Sequence, residues 1–415
     1  MLASLQDILD TVKSNTLTYQ QKLMCLGNIA ERLFDPRELL GYTDEEWQFL
    51  QNQMICDLNE GYAIYRPRYI LPDYNVYIKK GCEFLELPPP KDLDEALDGL
   101  LILYSHVPSI TTFPVYIGRL DMLLDPFITD EEQDYIKIKR FLNHVDKTVP
   151  DSFCHANIGP YDTKAGRLIL KAVIELEAPT PNMTIRYDKS KTSREFAELA
   201  AKACLLVSKP SFANDAYYIS DLGEQYGIAS CYNALPECGG AYTLTRLRLG
   251  TIARACKTVD EMVNELLPRV AKCALSTMDK RHKFVVEESN FFNTSFLEKE
   301  GFIKRTNFTG MFAIVGLADA ANHLLQQEGL NETFGKSQRG DEIATLIMDK
   351  LKEVTDNHEG VYAERTGNRY LLHAQVGASN HEEDKRNAPA HRIRVGEEPT
   401  LLALSLIHIS EPTRP

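Results

Sequence analysis

The sequence lacks the cysteine spacing that a disulfide framework or a zinc site requires. Its nine cysteines are an odd number, and no two of them form a Cys-x-x-Cys pair. This usage is typical of reduced thiols in the cytoplasm. Three histidines near the carboxyl end, His373, His381 and His391, have no metal-ligand spacing either, so we expect no metal site.

Positive charge and long apolar runs are also scarce. The formal net charge is −13, from 46 Lys and Arg against 59 Asp and Glu, and this balance argues against a nucleic-acid partner, because phosphate binding needs a basic surface. No apolar stretch follows Met1, so we expect no signal peptide. The most apolar window, residues 310–325, is too short and too polar to span a bilayer. The sequence therefore predicts a cytoplasmic protein that binds neither membrane nor nucleic acid.

The sequence has no internal repeat and no low-complexity linker, which favours one large domain. Residues 1–58 have the 3.6-residue period of helices, and residues 62–77 have the Tyr, Ile and Pro content of an extended segment. Residues 112–118, 152–159 and 182–188 look like strands. A helix should follow the last of these, since Thr192 and Glu195 have the spacing of a capping box. Strands that alternate with helices predict an α/β fold.

One cysteine has unusual neighbours. Cys231 is flanked by Ser230, Tyr232 and Asn233, and Pro236, Gly239 and Gly240 follow within a few residues. A structural thiol is usually found among aliphatic residues on a helix or strand. These neighbours instead indicate a loop, and loops held by a rigid scaffold are where reactive side chains concentrate.

Four segments resemble glycyl radical enzymes. Residues 116–127, YIGRLDMLLDPF, resemble the Gly-Arg-Leu-Asp signature of that superfamily. Residues 181–188, PNMTIRYD, resemble its Pro-Asn-x-Thr-x-Arg strand, and residues 210–215, PSFAND, resemble the element that precedes its cysteine loop. The segments occur in the family's order. The sequence of residues 226–250, YGIASCYNALPECGGAYTLTRLRLG, is most similar to the poorly characterised YjjI-type branch.

The resemblance implies a fold and a role for Cys231. The expected fold is a ten-stranded α/β barrel made of two antiparallel-packed half-barrels and surrounded by helices. Cys231 would lie on a finger loop inside the barrel and carry a thiyl radical. In this family a glycine near the carboxyl end stores the radical and takes hydrogen from the cysteine, which then takes hydrogen from a small organic substrate. A C–C or C–X bond of that substrate would be cleaved.

The resemblance also implies partners. The glycyl radical is installed by a radical-SAM activating enzyme that uses S-adenosylmethionine and a [4Fe-4S] cluster, so no cofactor is expected to bind this chain directly. A homodimer is expected from the family. The residue types suit the chemistry, because a radical on a glycine Cα is shared between two amides and no side chain obstructs the second loop. A neutral thiol suffices for hydrogen-atom transfer, so Cys231 need not be a low-pKa thiolate.

Two positions depart from better-known members of the superfamily. Dehydratases and several lyases have Cys-x-Glu, with the glutamate as general base, whereas this sequence has Asn233 in that slot. Pyruvate formate-lyase has two adjacent cysteines, whereas Ser230 precedes Cys231 here. Neither base-assisted elimination nor two-cysteine acyl transfer therefore follows, although a pyruvate formate-lyase-like acyltransferase stays an alternative.

The carboxyl end departs from the family as well. An Arg-Val-x-Gly-Tyr motif is expected there. The segment that matches it best, around Gly396, lacks the spacer and the aromatic residue. Residues 404–415 resemble translated sequencing-adapter DNA. We expect a barrel domain over residues 1–403 without its radical domain, an artefactual or disordered tail over 404–415, no radical glycine in this chain, and no activity of the chain alone.

Other polar residues near the motifs have two interpretations each. Glu237 is either the missing proton-transfer group, with its pKa raised in an apolar barrel, or a solvated turn acid. His155 and Asn157 are on a predicted strand that could face the barrel interior, and with Ser230 and Asn233 they are candidates for a substrate pocket; the alternative for the strand is that it does not face the interior. Arg119 and Asp121 are expected to support the fold through an ion pair, with substrate contact as the alternative.

Three further residues have predicted roles, and two alternative functions remain open. Cys238 is either a partner thiol or a spacer, and Asn214 and Asp215 are expected to cap a helix. A cysteine hydrolase would need a histidine base paired with Cys231, and no local signature supports one. A scaffold without catalytic activity is the other alternative.

Overall fold

The fold is described by a computed structural model over residues 4–31, 33–57, 64–108, 113–149, 153–230 and 232–374. Several predictions fall outside these residues. They concern Cys231, His381, His391, Gly396 and the boundary at residue 403 with the tail that follows. The side chain of His373 is likewise not described.

Helices make up about half of the described chain, and the first four confirm most of the helical period predicted for residues 1–58, whereas Ile55–Asp57 form a strand. Their caps follow from local sequence: Thr43, for example, accepts a hydrogen bond from the Glu46 amide while the Glu46 side chain bonds the Thr43 amide. The α-helices are α1 Leu5–Lys13, α2 Tyr19–Glu31, α3 Pro36–Leu40, α4 Asp44–Gln51, α5 Asn75–Lys80, α6 Leu93–Tyr104, α7 Leu120–Leu124, α8 Glu131–Thr148, α9 Lys164–Leu176, α10 Arg194–Val207, α11 Asp215–Leu222, α12 Leu249–Arg254, α13 Leu267–Lys283, α14 Phe291–Thr294, α15 Phe296–Lys299, α16 Leu317–Gln327 and α17 Gln338–Asp356.

Ten strands lie between these helices in the described residues, and they form sheets of five, three and two strands. The strands are β1 Ile55–Asp57, β2 Tyr69–Leu71, β3 His155–Ile158, β4 Asn182–Tyr187, β5 Ser211–Asn214, β6 Tyr226–Ala229, β7 Asn233–Pro236, β8 Gly239–Arg248, β9 Phe308–Val315 and β10 Leu371–Ala374. The α/β class is thereby confirmed.

The three-stranded sheet is parallel, in the order β3-β4-β5. Helices α9 and α10 make the crossovers that parallel strands require. Successive residues of a strand point to opposite faces. Ile158, Met183 and Ile185 belong to the apolar core that includes residues of α9 and α10. The alternate positions are polar, and they form the opposite face: His155, Asn157, Thr184, Arg186 and Ser211.

The five-stranded sheet is built around β8. Strands β1 and β2 pair antiparallel with β8, β9 pairs parallel with it, and β10 is parallel to β9 at the edge. The register between β8 and β9 shifts between Ala241 and Leu244, which marks a β-bulge. Helices α13, α16 and α17 pack on the apolar side of this sheet around Leu247, Phe312 and Ile314.

The third sheet is the antiparallel hairpin β6–β7. It contacts the polar face of the three-stranded sheet through two hydrogen bonds between the Asn157 side chain and the Ile228 main chain. On its other sides it reaches the five-stranded sheet: Gly227 lies against Leu71 of β2, and Ile228 clusters with Leu371 of β10. A hairpin between two sheets is the arrangement that the finger-loop interpretation predicts.

Three other local predictions are corrected by the structure. Residues 112–118 were predicted to form a strand, but the described part, 113–118, forms none; it runs beside β3 with a hydrogen bond from the Ile117 amide to the His155 carbonyl. Helix α10 is capped by Ser193 and not by Thr192, whose hydroxyl accepts from the Asp188 amide. Asp215 is the first residue of α11, and only Asn214 caps that helix, as predicted.

Candidate functional site

The connection that contains residue 231 closes the hairpin β6–β7. Ala229 pairs with Asn233, which leaves residues 230–232 between the strands. Cys231 itself lies outside the described residues. Its neighbours Ser230 and Tyr232 both have positive φ values, 53° and 66°. Such backbone is costly for residues with a Cβ and persists only where the surroundings hold it. The contacts of the hairpin therefore hold the backbone of Ser230 and Tyr232 in this conformation.

Asn157 holds the middle of β6. Its Nδ2 donates to the Ile228 carbonyl over 2.8 Å, and its Oδ1 accepts from the Ile228 amide, also over 2.8 Å. Both residues are buried. A side-chain amide has the same donor and acceptor as a peptide group, so Asn157 pairs with the free edge of β6 as a neighbouring strand would.

His155 holds the end of β6 next to residue 231. Its Nδ1 lies 3.0 Å from the Ser230 carbonyl oxygen, and its Nε2 lies 2.7 Å from Thr184 Oγ1. Burial lowers the pKa of His155 to about 4, so the ring is neutral at neutral pH. The edge of its ring also meets Tyr232, with the centroids 5.1 Å apart. His155 and Asn157 thus face the interior, as predicted, but both are engaged with the hairpin itself.

Arg186 holds the other end of the hairpin. Its Nε donates to Asp215 Oδ1 over 2.7 Å and its terminal nitrogens donate to the carbonyls of Tyr226 and Glu224. The guanidinium lies 3.9 Å from the Tyr226 ring centroid, and the Tyr226 hydroxyl donates to Asp215. Arg186 and Asp215 are both buried, and Lys191 Nζ is 3.5 Å from the second Asp215 oxygen.

Glu237 lies in the turn between β7 and β8. Only 7 % of it is exposed, so the interpretation as a solvated turn acid is wrong. Burial, and to a lesser extent the Asp73 carboxylate, raise the pKa of Glu237 to about 7, while the Tyr116 hydroxyl donates to it over 2.9 Å. Strand β7 separates it from Tyr232 by five residues, a span of about 16 Å in extended chain. This distance weighs against direct proton transfer at residue 231.

The predicted ion pair between Arg119 and Asp121 is absent, although both side chains are described. Asp121 accepts instead from the Gly159 amide over 2.7 Å and from the Met122 amide over 2.8 Å, and Arg119 donates to the Gly159 carbonyl over 3.2 Å. Burial raises the pKa of Asp121 to about 6. The two residues support the turn after β3 from two sides, because Gly159, at φ 79°, presents both main-chain groups to them.

Asn233 follows Tyr232 at the start of β7. Its side chain is buried, and Nδ2 has no hydrogen-bond partner in the part of the chain that the structure describes. An unpaired buried donor costs about 1–3 kcal/mol unless a ligand satisfies it. Cys238 lies at the opposite end of β7 beside Glu237, and burial raises the pKa of its thiol to about 11.

Sequence reasoning missed Thr184, Arg186 and Ser211. The signal was present: polar residues alternate with apolar ones along strands that would otherwise be buried, as in residues 182–187. Such a period of two marks a polar face. The described residues bring no three histidine, cysteine, aspartate or glutamate side chains together in a way that would hold a metal ion. None of their helices combines the length and the apolar character needed to cross a membrane.

Solved structures share this fold. The anaerobic ribonucleotide reductase from Thermotoga maritima with citrate in the active site has a TM-score of 0.72 at 12 % identity, over 96 % of this chain and 86 % of that one. The same enzyme in complex with dATP and CTP has a TM-score of 0.71 at 11 % identity, over 95 % and 77 %. At this identity the likeness shows the fold, and it confirms the predicted α/β fold class.

Sequence comparisons give the family. The model of the family described as glycyl radical enzyme YjjI-like matches residues 17–412. An uncharacterized protein of Haemophilus influenzae (strain Rd) is 93 % identical over 403 residues, 97 % of this chain and 78 % of that protein. The uncharacterized protein YjjI of Escherichia coli (strain K12) is 42 % identical over 391 residues, 94 % and 74 % of the two chains. The chain belongs to the YjjI-like glycyl radical enzyme family.

Proposed function

We propose that Cys231 carries a thiyl radical that takes a hydrogen atom from a small organic substrate. The observation that carries the proposal is the hairpin β6–β7, which the side chains of β3 and β4 hold on both sides of residue 231. Family membership supplies the chemistry, because glycyl radical enzymes carry a protein-based radical generated by radical-SAM activating enzymes. The chain's own residues would place the thiol and the substrate.

The steps balance with one hydrogen atom moved at a time. The glycyl radical takes hydrogen from the Cys231 S–H bond, which leaves Cα–H and a sulfur radical. The sulfur radical then takes hydrogen from a substrate C–H bond, which restores S–H and leaves a carbon radical. This chemistry needs no charged thiolate, so the burial of the preceding residue, Ser230, is compatible with it.

Asn233 bears on the substrate class. It occupies the position at which Cys-x-Glu members have their base, and an amide does not accept a proton at neutral pH. We propose that its buried, unpaired Nδ2 donates a hydrogen bond to a carbonyl, carboxylate or hydroxyl oxygen of the substrate. Glu237 lies about 16 Å from Tyr232 along extended chain, so it stays a candidate for proton transfer only if other groups relay the proton between Glu237 and residue 231. The activating enzyme, the homodimer and the cytoplasmic location stay predictions.

The relay through Cys231 is testable before the substrate is known. The Haemophilus influenzae relative would be activated anaerobically with its activating enzyme, S-adenosylmethionine and a reductant, in D2O. A glycine Cα–H does not exchange with water, whereas a thiol does. Electron paramagnetic resonance should therefore show the glycyl doublet collapse to a singlet as Cys231 returns deuterium to the glycine. Variants equivalent to Cys231→Ala and Cys231→Ser should keep the doublet, because alanine has no hydrogen to relay and a serine O–H bond is too strong.

Collapse of the doublet in both variants would contradict the proposal. Alkylation of Cys231 by iodoacetamide, followed by peptide mapping, addresses the hydrolase alternative. A hydrolase cysteine reacts as a thiolate at neutral pH, whereas we expect slow reaction.

A further inference from the structure

We propose that His155 is a positioning residue, which fixes the peptide group between Ser230 and the residue that follows it by donating a hydrogen bond from Nδ1 to the Ser230 carbonyl. The inference rests on the proposed function, since it names what places Cys231. It assigns no chemistry to His155 itself. The argument starts from a chain of hydrogen bonds that crosses all three strands of the parallel sheet.

The chain runs from β5 to the hairpin. Ser211 Oγ lies 2.7 Å from Thr184 Oγ1, which lies 2.7 Å from His155 Nε2, and His155 Nδ1 lies 3.0 Å from the Ser230 oxygen. The last acceptor decides the direction of the whole chain. A carbonyl oxygen has no proton, so Nδ1 must carry one.

The neutral ring then has a lone pair at Nε2, which accepts from the Thr184 hydroxyl, and the Thr184 oxygen accepts from Ser211. Every donor points towards the hairpin. Burial keeps the ring neutral, and the Ser230 carbonyl selects the Nδ1–H tautomer, because the Thr184 hydroxyl can either donate or accept. A ring fixed in this way is a rigid donor aimed at one carbonyl.

Both ring nitrogens of His155 are occupied by protein groups. The residue therefore has no hydrogen bond left for a substrate, which removes the reason to place it in a substrate pocket. Its target, Ser230, is the residue before Cys231 and is held at φ 53°. The amide of Ser230 is bonded as well, to the Val115 carbonyl over 3.2 Å. The two bonds fix the peptide groups on both sides of Ser230.

Two variants separate a donor from a space-filling side chain. The amide nitrogen of asparagine lies near the position of Nδ1, and that of glutamine lies near the position of Nε2. His155→Asn should keep the bond to Ser230, and His155→Gln should lose it, although glutamine is closer to histidine in size. A space-filling role predicts the reverse order.

The measurement is hydrogen–deuterium exchange of the peptide that spans residues 226–236, by mass spectrometry. We expect His155→Gln to speed exchange by about 5- to 150-fold, as for loss of one buried hydrogen bond, and His155→Asn to stay within about 3-fold of the wild type. Thr184→Val is the matched control, because it removes the donor to Nε2 and leaves the Nδ1 bond in place. It should affect exchange less than His155→Gln.

A second measurement needs no substitution in the protein that is observed. In the chain labelled with 15N-histidine, the nitrogen shifts of His155 should show the Nδ1–H tautomer and no titration between pH 5.5 and 8, with His155→Asn used for assignment. An Nε2–H tautomer, or better protection in the Gln variant than in the Asn variant, would overturn the proposal. Neither experiment involves a radical, so such a failure would leave the role proposed for Cys231 intact. Collapse of the doublet in the Cys231 variants would leave the hydrogen bond intact.

Discussion

The side-chain amide of Asn157 offers the sharpest test of how the hairpin is held. Asn157→Asp keeps the size and the shape of the side chain, and it keeps the oxygen that accepts from the Ile228 amide. It replaces the Nδ2 donor, 2.8 Å from the Ile228 carbonyl, with a second acceptor. Two oxygens would then face each other in a buried site with no proton between them.

The expected loss of unfolding free energy follows from the polar groups that Asn157→Asp leaves unpaired. One buried carbonyl that loses its donor costs about 1–3 kcal/mol, and a buried carboxylate adds to that. We expect the free energy of unfolding to fall by about 3–5 kcal/mol at pH 8, a large part of the roughly 5–15 kcal/mol that stabilises a typical domain.

Protonation should reverse part of this loss. In the Asn157→Asp variant, the protonated carboxyl carries an O–H that can donate to the Ile228 carbonyl, so the folded state raises the pKa of the new carboxyl above its unfolded value near 4. Because the folded state then binds the extra proton, stability of the variant relative to wild type rises as the pH falls from 8 towards 5.

The assay is urea unfolding followed by circular dichroism and by fluorescence at pH 8 and pH 5, with hydrogen exchange of residues 226–236. Asn293→Asp is the control, because Asn293 is exposed and should change stability by no more than about 0.5 kcal/mol. A loss below about 1 kcal/mol at pH 8, with exchange of the hairpin unchanged, would refute the reasoning.

Two predictions concern the base of the hairpin. Arg186→Met removes the guanidinium from the buried Asp215 carboxylate and leaves it with Lys191 and the Tyr226 hydroxyl, so it should destabilise the chain by about 3–5 kcal/mol in urea unfolding. Arg186→Met combined with Asp215→Leu should recover part of that loss, and an equal or larger loss in the double variant would contradict the ion-pair account. Glu237→Gln keeps an acceptor for the Tyr116 hydroxyl and removes the titration. Since the pKa of Glu237 is raised to about 7 in the folded chain, wild type loses stability relative to the variant as the pH rises from about 4.5 to 7, by roughly 1.4 kcal/mol per pH unit at most. A stability difference that does not change with pH would show that Glu237 is not buried as described.

Much of the local structure was predictable. The first four helices, the strands that contain His155 and Arg186, and the cap at Asn214 depend on neighbours within a few residues, so the sequence specifies them directly. The family followed from short motifs in a fixed order, and the family match confirms it. The inward direction of His155 and Asn157 followed from strand alternation once their strand was recognised.

The partners of these residues were not predictable in the same way. Arg119 and Asp121 are two residues apart, and their opposite charges suggested an ion pair. Each instead contacts Gly159, about 40 residues along the chain, because a buried turn offers main-chain groups that must be paired. Glu237 has the local sequence of a turn acid, and only the packing of Tyr116 over it shows that the turn is inside the protein.

The sequence by itself determined the strands that contain His155 and Arg186 and the place where the reactive cysteine is expected, because period, turn chemistry and motif order are local properties. The tertiary structure decided which groups bond to the polar face of the three-stranded sheet. Asn157 bonds Ile228 across 71 residues and Arg186 bonds Asp215 across 29, and no local pattern specifies such partners. The physical reason is burial: once the hairpin enters between two sheets, each polar group around it must find a partner inside the protein, and the fold alone determines which groups are within reach.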